Sequence, residues 1–108
     1  MPYDPGLAER LNEIVDHSGL EEIRMFGGLG YMLKGNMCVG IYEEFLILRV
    51  GVETAEKILL EPHALPMDIT GRAMRGWAKI APEGIVEDED LERYCGFAVD
   101  FVRTLPPK

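Results

Sequence analysis

The residues of this chain whose types could do chemistry are few: two cysteines, two histidines, a glycine run and one arginine-bearing loop. Cys38 and Cys95 would serve as nucleophiles only beside a base, and no base stands at a suitable spacing. Two thiols so far apart are also too few for a disulfide framework or a zinc knuckle. Packing is the expectation for both, Cys95 in the core and Cys38 at an interface. His17 and His63 have no second ligand at metal-binding spacing, and His17 suits the negative end of a helix. The run Glu87-Asp88-Glu89-Asp90 lacks the alternation and the turn glycine of a calcium loop. Met25-Phe26-Gly27-Gly28-Leu29-Gly30 would need a following helix to bind a dinucleotide. It runs instead into a strand pattern, which predicts a bulge or a tight strand-to-strand turn. No catalytic residue, cofactor or metal ligand is therefore assigned. One segment remains, Thr70 to Trp77. Arg72, Arg75 and Trp77, with Arg24 near the glycine turn, could grip a carboxylate or phosphate or stack on a partner. The competing reading pairs the arginines with surface carboxylates and pins Trp77 in the core.

The chain that must position these residues has 108 of them, 47% hydrophobic and 28% charged, with a formal net charge of −8. That composition fits one globular domain over residues 1–108 and excludes disorder. So acidic a chain is repelled by phosphate backbones and anionic lipid, so no direct nucleic-acid contact and no membrane association are expected. Its longest strictly apolar run, Phe45 to Leu48, falls far short of the ~20 residues of a membrane span. The opening residues have neither a basic nor an apolar leader pattern, which predicts a cytoplasmic protein.

Three segments read as helices. The first opens at Asp4-Pro5, carries Leu7, Leu11, Ile14 and Val15 on one stripe, and stops at Ser18-Gly19. The second covers about Glu53 to Leu60, ahead of Pro62. The third starts in the acidic run and carries Leu91, Tyr94, Cys95, Ala98, Phe101, Val102 and Leu105 at helical spacing. Strands are predicted at Ile23–Phe26, Leu29–Lys34, Met37–Tyr42, Phe45–Val50, Met67–Thr70 and Trp77–Ile80, with tight turns at Gly35-Asn36 and Glu43-Glu44. The fold class is α+β: two layers, a mostly antiparallel sheet with helices on one face, in the order α-β-β-β-β-α-β-β-α.

Those two turns set a register in which Leu33 faces Cys38, Tyr31 faces Gly40, Tyr42 faces Phe45 and Gly40 faces Ile47. One sheet face then carries Met32, Met37, Val39, Ile41, Leu46, Leu48 and Val50, an evident core. The other carries Leu29, Tyr31, Leu33, Cys38, Tyr42, Phe45, Ile47 and Arg49, and its patch of Tyr31, Leu33, Tyr42, Phe45 and Ile47 is too apolar to be left to water. A second copy of the chain is the expected cover, giving a homodimer.

The residues so assembled resemble the N-terminal domain of the TfoX/Sxy family of bacterial competence regulators. The matches are Met25-Phe26-Gly27-Gly28-Leu29-Gly30-Tyr31-Met32, Gly35-Asn36-Met37, Leu48-Arg49-Val50, Pro62-His63, Thr70-Gly71-Arg72 and Gly76-Trp77, between an opening helix after Tyr3-Asp4 and a closing one before Leu105-Pro106. The resemblance implies a two-layer α+β domain and a role in promoting transcription of DNA-uptake genes together with the cyclic-AMP receptor protein. Full-length members carry a second domain similar to helix-hairpin-helix modules, which has no counterpart here, so a stand-alone member is expected. The resulting expectation is a non-catalytic regulatory or protein-interaction domain, a homodimer with a further protein partner of unknown identity. A small-molecule or anion-binding module built on the Gly71–Trp77 loop is the alternative.

Overall fold

The computed structural model describes residues 4–15, 19–25, 28–67 and 74–107. Asp4 caps the first helix, α1 (Pro5–Val15), its Oδ1 accepting from the N–H groups of Gly6 at 2.9 Å and Leu7 at 3.4 Å. The expected stop at Ser18-Gly19 lies partly outside the described residues. Four strands follow as a meander: β1 (Glu21–Met25), β2 (Gly28–Leu33), β3 (Asn36–Tyr42) and β4 (Phe45–Arg49). After α2 (Val52–Ile58) come β5 (Ala64–Pro66), β6 (Trp77–Ile80), a single 3-10 turn (Pro82–Ile85) and α3 (Asp88–Val102). The sheet is antiparallel throughout, in the order β1-β2-β3-β4-β6-β5. The α+β class and the order of elements are as the sequence predicts. Met25 at the end of β1 pairs with Gly28 at the start of β2, and Phe26 and Gly27, on which the expected bulge or turn falls, lie outside the described residues.

Most of the strand predicted at Met67–Thr70 lies outside the described residues; the strand described in that place in the order is β5, at Ala64–Pro66. A proline is tolerated there because β5 is an edge strand, where a ladder N–H can be missing.

The register of β2 against β3 is corrected. The hairpin turns at Lys34-Gly35, with φ of 52° and 84°, rather than at Gly35-Asn36. Leu33 then pairs with Asn36 and Met32 with Met37, but Tyr31 pairs with Val39, leaving Cys38 as an extra residue. That one-residue bulge changes the parity of everything beyond it. Tyr31 consequently joins the core at 2% exposed, its hydroxyl donating to Oδ1 of Asn12 on α1. Leu33 packs against the same core, and Cys38 is fully buried in it. The expectation that Leu29, Tyr31, Leu33 and Cys38 lie on the second face is thus overturned. The β3–β4 turn is as predicted, Tyr42 facing Phe45 and Gly40 facing Ile47.

All helices lie on one side of the sheet. Leu7 and Leu11 of α1, Ala55 and Ile58 of α2, and Leu91, Tyr94, Ala98 and Val102 of α3 form one buried cluster. With them stand Leu29, Val39, Ile41, Leu46, Leu48, Ala78 and Ile80 of the sheet. Polar fasteners close the layer. Arg10 donates to Asp88 at 3.0 Å and to the carbonyl oxygen of Ile85 at 2.6 Å, tying α1 to the entry of α3. Buried Asn36 donates from Nδ2 to the carbonyl oxygen of Pro106, holding the chain's end to the β2–β3 hairpin.

Candidate docking face

Strand alternation directs Phe45, Ile47 and Arg49 of β4 away from the helices, because Leu46 and Leu48 point toward them. On β6 the same alternation sends Ala78 and Ile80 inward and leaves Trp77 and Lys79 on the open side. The β4–β6 pairing sets Arg49 directly opposite Trp77 and Ile47 opposite Lys79. The Arg49 guanidinium lies 5.7 Å from the centre of the Trp77 ring, and the Lys79 ammonium 4.6 Å from that of Phe45. Each cation rests its stem along the sheet and its charge against a ring. Tyr42 adjoins Phe45 on β3, and Leu65 of β5 opposes Lys79. On the other half of this face the same alternation places Gly28, Gly30 and Met32 of β2, Met37 and Gly40 of β3 and Ile23 of β1, with the Met37 terminal methyl standing where a Cβ on Gly40 would be, while Ile47 on the first half is only 2% exposed. Among the described residues no helix covers this side.

The residues expected to form the second face are therefore divided. Tyr42, Phe45, Ile47 and Arg49 share it as expected, while Leu29, Tyr31, Leu33 and Cys38 belong to the core opposite. Trp77 and Lys79 join the face; sequence alone does not place them there, because α2 and β5 separate them from their partner strand.

The proposed arginine site is likewise divided. Trp77 is half-buried on the open face and Arg75 is exposed in the turn before it. That turn is fixed by Gly76, whose carbonyl oxygen accepts from the N–H groups of Val50 at 2.9 Å and Gly51 at 3.0 Å. Gly76 has φ of 84°, a conformation that favours glycine. Met74 donates its N–H to Met67 at 2.8 Å, so the ends of the intervening loop are tied together. Arg72 lies outside the described residues. Arg24 does not join them: it sits on β1, four strand spacings or about 19 Å from β6. It also pairs with Leu29, which places it on the helix side. Beside Arg75, Val52, Leu59, Met74 and Trp77 line a cleft of about 160 Å³, small for an organic ligand.

The titratable groups favour structure over chemistry. Burial pushes both thiols up to about 12, so neither is a thiolate at neutral pH. Glu61, between α2 and β5, accepts from both terminal nitrogens of Arg93, at 2.8 and 3.2 Å, and from the Tyr94 hydroxyl. The Arg93 guanidinium first, and the Tyr94 hydroxyl after it, hold the Glu61 carboxyl below the usual carboxylate range. Burial pushes the Tyr94 phenol up to about 12. Among the described residues no three His, Cys, Asp or Glu side chains gather as a metal site, and no helix is long and apolar enough to cross a membrane. A family model of the TfoX N-terminal domain matches residues 13–102. No curated protein and no solved structure matches the chain.

Proposed function

Since the chain belongs to the TfoX N-terminal domain family, we propose that it is a non-catalytic regulatory domain that acts by binding protein, with the open sheet face as its docking surface. The observation that carries this reading is the face itself: Tyr42, Phe45, Arg49, Trp77 and Lys79 stand half-buried on a side that no described helix covers. Rings with polar edges and an arginine are the residue types that protein interfaces favour. The edges of the sheet are poorer candidates. β1 carries Glu21, Glu22 and Arg24, and β5 is three residues long and ends in Pro66, features that discourage strand addition. Burial of both thiols and the closed Glu61–Arg93–Tyr94 cluster support the non-catalytic part. The competence regulators that the sequence resembles promote transcription, and a transcriptional effect is what the reading expects of this domain.

The experiment replaces the gene in its own host by a Phe45→Lys allele and compares transcripts with those of the wild type and a deletion strain. A folded, normally abundant Phe45→Lys protein should reproduce the deletion's transcript changes. A deletion that alters no transcript removes the regulatory reading. A Phe45→Lys strain indistinguishable from wild type removes the face.

A further inference from the structure

The surface to which Trp77 belongs continues past the end of the sheet into the cleft beside Arg75. Val52, Ala55, Glu56 and Leu59 recur at helical spacing along α2 and its end, and form one wall of that cleft. The turn Met74-Arg75-Gly76-Trp77 forms the other. It is closed by the Trp77 N–H, which donates to the carbonyl oxygen of Met74 at 3.3 Å, and Gly76 supplies the positive φ that such a turn needs. Arg75 therefore projects from a fixed corner beside an apolar hollow, on whose rim Val52 is 41% exposed. About 160 Å³ is too little for a cofactor and enough for one aliphatic side chain.

Charge decides what comes with that side chain. The chain has 19 acidic and 11 basic residues, and its Arg10 and Arg93 are held by Asp88 and Glu61. Among the described residues no carboxylate pairs with Arg75, or with Arg49, whose guanidinium lies against the Trp77 ring. Both arginines stand on the sheet side of the cleft, Arg75 two residues before Trp77 and Arg49 opposite it on β4. Glu56, the one carboxylate among the lining residues, belongs to the α2 wall and pairs with neither. A larger hollow between α1 and α3, about 320 Å³, is lined by Glu92 and Asp100 as well as Arg103, so its charges favour no anion.

We infer that the cleft takes one aliphatic side chain from an acidic segment of a partner protein, with carboxylates beside that anchor on Arg75 and Arg49. This rests on the protein-binding reading above and adds the partner's chemistry. Exposed ion pairs contribute little by themselves, so burial of the anchor carries most of the affinity. The arginines select the sequence and orient it, acidic side toward the sheet and away from Glu56.

Trp77 is the chain's one tryptophan, so its fluorescence reports occupancy. The probe is a capped peptide with a central leucine and two aspartates or glutamates on each side. It should shift the Trp77 emission saturably, with a dissociation constant below about 1 mM. Glycine in place of the leucine should weaken binding about tenfold or more, as loss of a buried leucine side chain does. Lysines in place of the acidic residues should abolish it. Arg75→Gln and Arg49→Gln should each weaken it roughly two- to fivefold, and Glu56→Gln should tighten it. Val52→Asp should abolish binding without harming the fold, since an acidic residue at the first position of α2 suits the helix dipole. Circular dichroism confirms that each variant is folded. Absence of binding up to about 1 mM overturns the inference. So does equal binding of the lysine-flanked or the glycine peptide, or a folded Val52→Asp protein that binds as wild type does. If these titrations fail while the Phe45→Lys strain still reproduces the deletion, the open face stands and only the acidic segment is lost.

Discussion

Gly28 sits in the glycine run that, on sequence alone, could be taken for a ligand-binding loop. The structure gives it a different reason. A Cβ built at Gly28 would stand 2.3 Å from the carbonyl oxygen of Ile41 and 3.5 Å from Cα of Tyr42. These are backbone atoms of the neighbouring strand, so no side chain can swing aside to relieve the contact. Gly28→Ala must therefore push β2 and β3 apart beside the buried Leu29–Ile41 pair. Overpacking of that kind costs about 2–3 kcal/mol. For a domain near this size it lowers the melting temperature by roughly 10–15 °C. Gly96→Ala is the matched control: this helical glycine is exposed and a Cβ there meets nothing within 4 Å. It should gain about 0.5–1 kcal/mol from helix propensity. Urea unfolding of the two variants beside wild type reads both. If Gly28→Ala unfolds within about 0.5 kcal/mol of wild type, close backbone approach is not why glycine stands there, and the reasoning fails.

Arg75→Ala should change stability by less than about 1 kcal/mol, as typical exposed substitutions do, since its side chain stands in solvent. A larger loss in urea unfolding would put Arg75 in a structural ion-pair network and end the case for a binding loop. Glu61 has a carboxyl pKa lowered by Arg93 and Tyr94, so its contribution is present above the unfolded carboxylate's pKa and is lost as pH falls through the folded one. The gap in melting temperature between wild type and Glu61→Gln should therefore be full at neutral pH and shrink below pH ~4. A gap independent of pH would show that the ion pair does not stabilise the fold.

Local chemistry made much of the fold legible. Asp4-Pro5 names the start of a helix because one side chain caps it and the proline needs no hydrogen bond there. The third helix, α3, is legible by its apolar stripe. What escaped depends on distant pairing. Nothing around Arg24 says that it ends four strands from Arg75, because β6 reaches β4 only after the chain has crossed through α2 and β5. The turn at Lys34-Gly35 was missed because lysine seldom adopts positive φ, so Gly35-Asn36 was the better local choice. The interleaved cations and rings escaped for the same reason as the sheet order. Arg49 and Trp77 are Cα partners only in three dimensions.

Cys38 decides which face of the sheet is which. Without an extra residue there, β2 would pair beyond it with opposite parity against β3. Leu29 and Tyr31 would then face away from the helices, and Gly28 and Gly30 would face the core where no side chain could fill it. With it, Leu29 and Tyr31 complete the core, and Gly28 and Gly30 fall on the opposite side of β2. The residue's identity matters less than its presence. Cys38→Ala leaves the bulge and trims a small buried side chain, which should cost about 1 kcal/mol. Deletion of Cys38 removes the bulge. It must either strip the core of Tyr31, with its bond to Asn12, or break the hairpin that Asn36 ties to Pro106. Either outcome should cost more than about 3 kcal/mol, the range reserved for core disruption. Equilibrium unfolding of the two variants separates them, and a deletion no worse than the alanine would mean that the strand re-registers freely and that the bulge does not set the faces.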